Sequence, residues 1–549
     1  MLVRAGADVN HPTKTNSTPL RAACFDGRLD IVKYLTDHSA DIHITNKYNN
    51  TCLMIAAYKG HVHIVQFLLE LGANPNEKAN CGATALHFAA ECGHVEIVKE
   101  LLKSGAKIYK NEHGITPLIA AAERTRAEVV EYFVSEGNIS RGEKIDAYEL
   151  LGASYASDKD NYDIGLASMY LMLGMQERFS DPSNIIYKPE TRPIPAYDNR
   201  LECERVEELQ TIQNNSAELH MESLVIRERI LGPHNPEVPH PVIFRGAVFA
   251  DNARFDKCLN LWLHALRLKQ SNKVSVVKDL LRFAQVFSQM LHVGLSLDFD
   301  VVEEVLEATL VELVRNSQKM IFPGPKDDVE TVKDDIECNM VTSLYLIMIT
   351  MRILKQELKL SLDARESRIH HIVYRLVRVG ARNRNGQTLL HLAVNPDTPV
   401  DDFHTNHICK FPCALTTKLL ITCGANANEM DYNRNTPLHL IVPYEKIISD
   451  FFTLHNIIMA LVEAGAHMDT VNQSGATPMD AATSGVAEVI LRSQNKLSLQ
   501  CQAARVVKCK GIPYKGTVPL HLEAFIELHG PCHVDSLVHS GRKKMEQHL

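Results

Sequence analysis

The side chains able to carry chemistry in this chain are histidines, cysteines and acids, and none falls into a reacting constellation. There is no Gly-x-x-x-x-Gly-Lys-Ser/Thr phosphate cradle, no Gly-x-Ser-x-Gly elbow and no His-Glu-x-x-His pair. The nearest approach to a metal set is His404, His407, Cys409 and Cys413. Nitrogen and sulfur are suitable zinc donors, but His-x2-His-x-Cys-x3-Cys matches no zinc spacing and falls within a long insertion. No metal, cofactor or catalytic residue is therefore expected. His61, His87, His94, His391 and His439 recur at fixed places in a repeating phrase, which predicts structural rings bonded to backbone within a turn.

That phrase identifies the elements that position everything else. Thr18-Pro19-Leu20, Thr51-Cys52-Leu53, Thr84-Ala85-Leu86 and Thr116-Pro117-Leu118 each open an Ala-rich helix, at intervals of 33, 33 and 32 residues. This is the ankyrin period. A second helix in each unit carries Ile, Val and Leu and closes on Gly72-Ala73, Gly105-Ala106 or the variant Ser39-Ala40. One unit cannot bury its apolar face alone, so neighbours stack into a solenoid. Met1 to Asn10 reads as the tail of a second helix, so the first unit is expected to be incomplete, in a chain with a shortened front. In such a stack the residues after each Thr-x-Leu face the concave groove. This predicts a binding surface at Ser17, Arg21, Phe25, Asp26, Met54 and Tyr58. Arg21 and Met54 stand where histidine is usual, and Phe25 and Tyr58 are bulky. Rings beside an acid and a hydroxyl suit a peptide end, with Arg21 or Asp26 selecting charge.

Composition narrows the partners. The 549 residues carry 58 Lys and Arg against 66 Asp and Glu, for a net charge of −8, without a basic stripe. The electrostatic attraction that drives nucleic-acid binding is missing, and no nucleic-acid partner is expected. The longest apolar run, Met340 to Met351, is shorter than the roughly 20 residues of a membrane span, so no membrane partner is expected. Thirteen cysteines without a Cys-x-x-Cys suit buried thiols in a reducing compartment.

Beyond residue 137 the 33-residue beat stops. Residues 142–375 read as a helical region, with a tetratricopeptide-like helix pair near 241–270 whose Trp262 is an interhelix core residue. Ankyrin phrases return over 382–495 at Thr388-Leu389-Leu390-His391, Thr436-Pro437-Leu438-His439 and Thr477-Pro478-Met479, with insertions such as Asn395 to Pro412. Over 496–529 two helices follow, one with Leu499, Ala503, Val506 and Val507 on a single face, the other started by Pro519 and striped with Leu522, Phe525 and Ile526. Periodicity alone leaves open whether this pair caps the last repeat or docks a partner. Residues 530–549, with Arg542-Lys543-Lys544, read as a disordered tail. The expected fold is thus all-α: an ankyrin-repeat solenoid, a central tetratricopeptide-like region, a second ankyrin set and a C-terminal helical box.

Strings more specific than ankyrin consensus carry a resemblance. Asn16 to Leu35, Glu149-Leu150-Leu151-Gly152-Ala153-Ser154, Leu261-Trp262-Leu263-His264-Ala265-Leu266, Arg282 to Met290 and Thr398 to Asn406 resemble the Fem (feminization) family of ubiquitin-ligase substrate receptors. The resemblance implies a non-catalytic receptor of a cullin 2 RING ligase that holds elongin B, elongin C and cullin 2 through a von Hippel-Lindau-type box. It would read C-terminal degrons, often containing Arg, in the N-terminal groove. Leu499, Ala503 and Val507 would then bind elongin, with Ala503 replacing the usual cysteine, and Val518, Pro519, Leu522 and Ile526 would bind cullin. The family's array begins two to three repeats earlier. A cytoplasmic location is implied, with nuclear or mitochondrion-associated pools. The rival reading from the repeats alone is an ankyrin scaffold in apoptotic or transcriptional signalling that recruits no ligase.

Overall fold

The computed structural model describes residues 3–136, 139–324, 327–356, 362–444, 450–483, 485–494 and 498–529; the basic tail at 530–549 lies outside them. Every regular element among the described residues is helical. The chain divides into two compact units, Met1–Val274 and Ser275–Leu549, so the helical stretch read as 142–375 contributes to both.

In the first unit, paired short helices repeat as the periodicity predicts: Pro19–Phe25 with Leu29–Asp37, Cys52–Lys59 with Val62–Glu70, Ala85–Cys92 with Val95–Lys103, and Pro117–Glu123 with Ala127–Glu136. The threonine of each phrase is the helix N-cap: Thr18, Thr51 and Thr116 Oγ1 accept from the backbone N–H three residues on. The outer helices bury Ile64, Val65 and Leu68, then Ile97, Val98 and Leu101. Ser39 adopts the left-handed conformation (φ 68°) that Gly72 and Gly105 hold in the next two units.

Successive repeats are tied by side chain to backbone. His61 Nε2 bonds the Phe25 carbonyl at 3.1 Å, and His94 Nε2 bonds the Tyr58 carbonyl at 3.2 Å. Arg126 Nε donates to the Glu91 carbonyl at 3.1 Å, taking the same place one unit later. These histidines therefore link neighbouring units, whereas the sequence predicted bonds within one turn. Gly27 and Gly60 are required beneath them: a Cβ at Gly27 would lie 2.5 Å from the His61 ring, and one at Gly60 2.6 Å from His94.

The helices Arg141–Ser157 and Ile164–Phe179 continue this unit and approach closely at Gly152 and Gly174. Ser216–Leu231 packs against the first of them, and a buried charge network fills the junction. Arg178 grips Glu149 with two bonds of 2.6 and 2.8 Å, and Arg229 reaches both Glu149 and Glu202 at 2.6 Å. In the pair Pro239–Asp251 and Phe255–Ser271, Trp262 is buried and donates from Nε1 to the Ile243 carbonyl at 2.9 Å. Its ring lies against Gly246, where a Cβ would come within 2.4 Å.

The second unit opens with Val277–His292, Phe299–Ile321, Val329–Gln356 and Leu362–Val379. Val329–Lys355 is the one helix among the described residues long and apolar enough to cross a membrane, and 78% of its apolar window is buried inside the protein. The second ankyrin set follows as Leu389–Val394 with Ala414–Thr422, Pro437–Ile441 with Phe451–Glu463, and Pro478–Ala481 with Gly485–Gln494. Two last helices, Leu499–Cys509 and Leu520–Leu528, pack on each other and on this set. Val471 N–H donates to the Leu528 carbonyl at 3.3 Å and Arg434 Nη2 to that of Glu527 at 2.7 Å.

Candidate functional site

The predicted groove residues separate into two classes. Arg21 is 7% exposed, and its Nη1 donates to the carbonyls of Asn50 at 2.6 Å and Thr51 at 3.2 Å. It thus occupies the place of His87, whose Nδ1 accepts from Thr84 N–H at 3.1 Å while Nε2 bonds the Ile115 carbonyl at 3.1 Å. Burial pushes the His87 ring below the ordinary histidine range, which keeps it neutral and suited to these two roles. Met54 is also buried, with its sulfur accepting from Thr51 N–H at 3.5 Å. The charge of Arg21 is therefore engaged by the repeat framework, where the sequence predicted a free selector.

The second class faces solvent. Phe25 and Tyr58 are exposed, as is Asp26, and Ser17 is half-buried. Tyr58 meets Phe88 edge-on with ring centroids 6.3 Å apart, and Lys59 Nζ sits 4.0 Å from the centre of the Phe25 ring. A small cavity of about 170 Å³ opens here, lined by Arg21, Asn50, Met54, Ile55, Tyr58 and Phe88. Asn50, Ile55 and Phe88 were missed by the sequence reading. Phe88 directly follows the framework histidine, a position the equivalence argument passed over.

In the terminal box, Ser498 Oγ caps the first helix by accepting from Cys501 N–H at 3.1 Å. Cys501 and Ala504 turn inward, while Ala503 is exposed and Val507 half-buried. Leu499 is 84% exposed and Val506 54%. On the second helix and its approach, Pro519 is exposed, Val518 and Leu522 are half-buried, and Leu520 is 81% exposed. Ile526 is buried inside the box, so its contribution is to packing and not to an outward surface. Lys508 and Lys515 clamp Glu527 at 2.8 and 3.1 Å, tying the two helices together.

The metal-like string is not brought together. Cys409 is buried against the Tyr345 carbonyl, and Cys413 Sγ accepts from Thr416 Oγ1 at 3.2 Å. His404 and His407 gather instead with His292. A different set, His467, Asp469, Cys501 and His529, converges between the last repeats and the terminal helices. The 62 residues separating its ends leave no local spacing to read, apart from the pair His467-x-Asp469.

Comparison with known proteins agrees with this architecture. A family model for ankyrin repeats, in 3 copies, matches residues 1–79 and 72–142. Over 436 residues the chain is 38% identical to human protein fem-1 homolog C, covering 77% of this chain and 67% of that protein. It is 37% identical to zebrafish (Danio rerio) protein fem-1 homolog A over 440 residues, 77% of this chain and 67% of the relative. Mouse protein fem-1 homolog A-like is 34% identical over 475 residues, 77% and 68% of the two chains. With that identity over more than three quarters of its length and the ankyrin match at its front, the chain belongs to the Fem-1 family of ankyrin-repeat proteins.

Proposed function

We propose that this chain is the substrate-recognition subunit of a cullin 2 RING E3 ubiquitin ligase, with ubiquitin transfer left to the RING partner. The observation that carries the reading is the two-sided terminal box. Its inner face is buried on Cys501, Ala504 and Ile526, while Leu499, Val506 and Leu520 stand out in water. Burying a leucine fully is worth about 1.5–3 kcal/mol, so such a row favours a partner surface. In this reading Leu499, Ala503 and Val507 meet elongin C, with elongin B alongside, and Val518, Pro519 and Leu522 meet cullin 2.

The cavity of the first unit takes the C-termini of target proteins, often Arg-containing, which are then ubiquitinated for proteasomal degradation. The face of the Phe25 ring already holds the Lys59 ammonium, and a degron guanidinium would compete for that place. Asp26, exposed beside it, adds negative charge. The chain works in the cytoplasm, with nuclear or mitochondrion-associated pools.

Co-expression of the full chain with elongin B, elongin C and cullin 2 tests this. A stoichiometric complex is expected, and Leu499→Asp abolishes it without altering the circular dichroism. Retention of the complex by Leu499→Asp refutes the docking face. Failure of the unaltered chain to assemble favours the ankyrin scaffold without ligase recruitment.

A further inference from the structure

Four potential ligand atoms, His467 Nδ1, a carboxylate oxygen of Asp469, Cys501 Sγ and His529 Nε2, lie within 4.8 Å of one another. Three of the four residues are almost wholly enclosed: Asp469 is 5% exposed, Cys501 4% and His529 0%. Enclosure of this kind demands partners, yet both Asp469 oxygens and His529 Nε2 make no hydrogen bond among the described residues, and the charged neighbour of the carboxylate is the His529 ring at 3.5 Å. A buried carboxylate with no bonded donor costs several kcal/mol unless a cation completes its environment.

The spacings also carry information. Cys501 Sγ is 3.4 Å from His467 Nδ1, and His529 Nε2 is 3.5 Å from Asp469 Oδ1. The first is an ordinary distance for a hydrogen bond to sulfur, and the second is long for one between nitrogen and oxygen. Both are also close to edges of a zinc tetrahedron, in which bonds of about 2.3 Å to sulfur and about 2.0–2.1 Å to nitrogen or oxygen place ligand atoms about 3.3–3.6 Å apart.

The surroundings orient the donors as a metal requires. His529 Nδ1 bonds the Phe525 carbonyl at 2.9 Å, which puts the proton on that nitrogen and leaves the Nε2 lone pair facing the cluster. Ser498 Oγ donates to Cys501 Sγ at 3.1 Å, a bond that favours thiolate. His467 N–H is held by Asn428 Oδ1 at 2.8 Å, fixing the backbone of the first two ligands to the preceding repeat.

We propose that His467, Asp469, Cys501 and His529 form a closed structural zinc site that pins the two terminal helices to the last ankyrin repeats. With all four positions taken by protein there is no open coordination position, so the role is structural and not catalytic. This assignment stands apart from the ligase reading.

The test uses the full chain purified without chelator. Elemental analysis is expected to give about one zinc per chain, and X-ray absorption of the same sample one sulfur and three nitrogen or oxygen ligands. Cys501→Ser and Asp469→Asn should each lower the zinc content to near zero, while His407→Ala, in the separate histidine trio, leaves it unchanged. Cobalt titrated into the chelated chain reports the site independently of any variant, through a thiolate-to-cobalt charge-transfer band. Absence of zinc, a ligand shell with no sulfur or with several, or zinc that survives Cys501→Ser overturns the assignment. So does zinc that disappears only with His407→Ala.

Discussion

Gly152→Ala tests the account of the first unit most directly, because one methyl group sets two known effects against each other. A Cβ at Gly152 would lie 2.8 Å from Ala167 O, 2.8 Å from Leu171 N and 2.7 Å from Leu171 Cγ. Two of these are backbone atoms of the facing helix and cannot turn aside. Restoring ordinary contact means parting Arg141–Ser157 from Ile164–Phe179 by roughly 0.6 Å, in an interior packed as densely as a crystal. Overpacking of this kind costs about 1–3 kcal/mol, and the same movement stretches the Arg178 to Glu149 bonds across the interface. Alanine's better helix propensity returns about 1 kcal/mol. A net loss of up to about 2 kcal/mol is expected, seen as a lower urea midpoint by circular dichroism. Gly142→Ala supplies the control: it sits in the same helix with nothing within 4 Å of its would-be Cβ, so it keeps the propensity gain and loses nothing. Equal effects of the two substitutions, or stabilisation by Gly152→Ala, would refute the close-approach argument.

Ser39→Gly relieves the left-handed strain at φ 68° while keeping the backbone carbonyl that accepts from Asn10 Nδ2, and should stabilise the first unit by about 0.5–1 kcal/mol in the same assay. Acidification should weaken this unit in two stages. Burial, helped by Arg245 and Arg227, pushes His220 from 6.5 down to about 3, so below pH 6.5 the unfolded chain takes up a proton that the folded chain refuses. Glu149 adds to the loss below 4.5: burial opposes its ionisation, but Arg178, Lys188 and Arg229 hold it at about 2. Urea midpoints measured from about pH 7.5 to about pH 2.5 should fall below pH 6.5 and more steeply below pH 4.5, and His220→Gln should flatten the upper part of the curve. A midpoint that rises on acidification contradicts both assignments.

The repeats were legible in the sequence because their signals are local. A threonine cap, an alanine pair and a closing glycine each satisfy a backbone need within a few residues, and the helices fall where these signals put them. The inward turn of Arg21 was not legible. A charged residue in a groove position reads as a ligand contact until the two carbonyls 29 and 30 residues away come into view. For Ile526 periodicity gives an apolar stripe without saying which side the fold will cover, and the outward role came only from the family resemblance; the residue is buried. The His467, Asp469, Cys501 and His529 cluster was invisible because its members come from a repeat turn and two different helices, joined only by tertiary packing. The string from His404 to Cys413 is divided by the fold, its histidines gathering with His292 while Cys409 and Cys413 meet the Tyr345 carbonyl and Thr416.

The ties between repeats have a bearing on how recognition can diversify. The carbonyls gripped by His61, His94 and Arg126 belong to Phe25, Tyr58 and Glu91, and the rings of the first two are exposed. Phe25 and Tyr58 are therefore anchored by main chain from the module downstream, while the Glu91 carboxylate is in addition held by Arg124 at 3.3 Å. Such an arrangement lets specificity drift by single substitutions without loosening the stack, while removal of one module would unseat the display residue of the module before it.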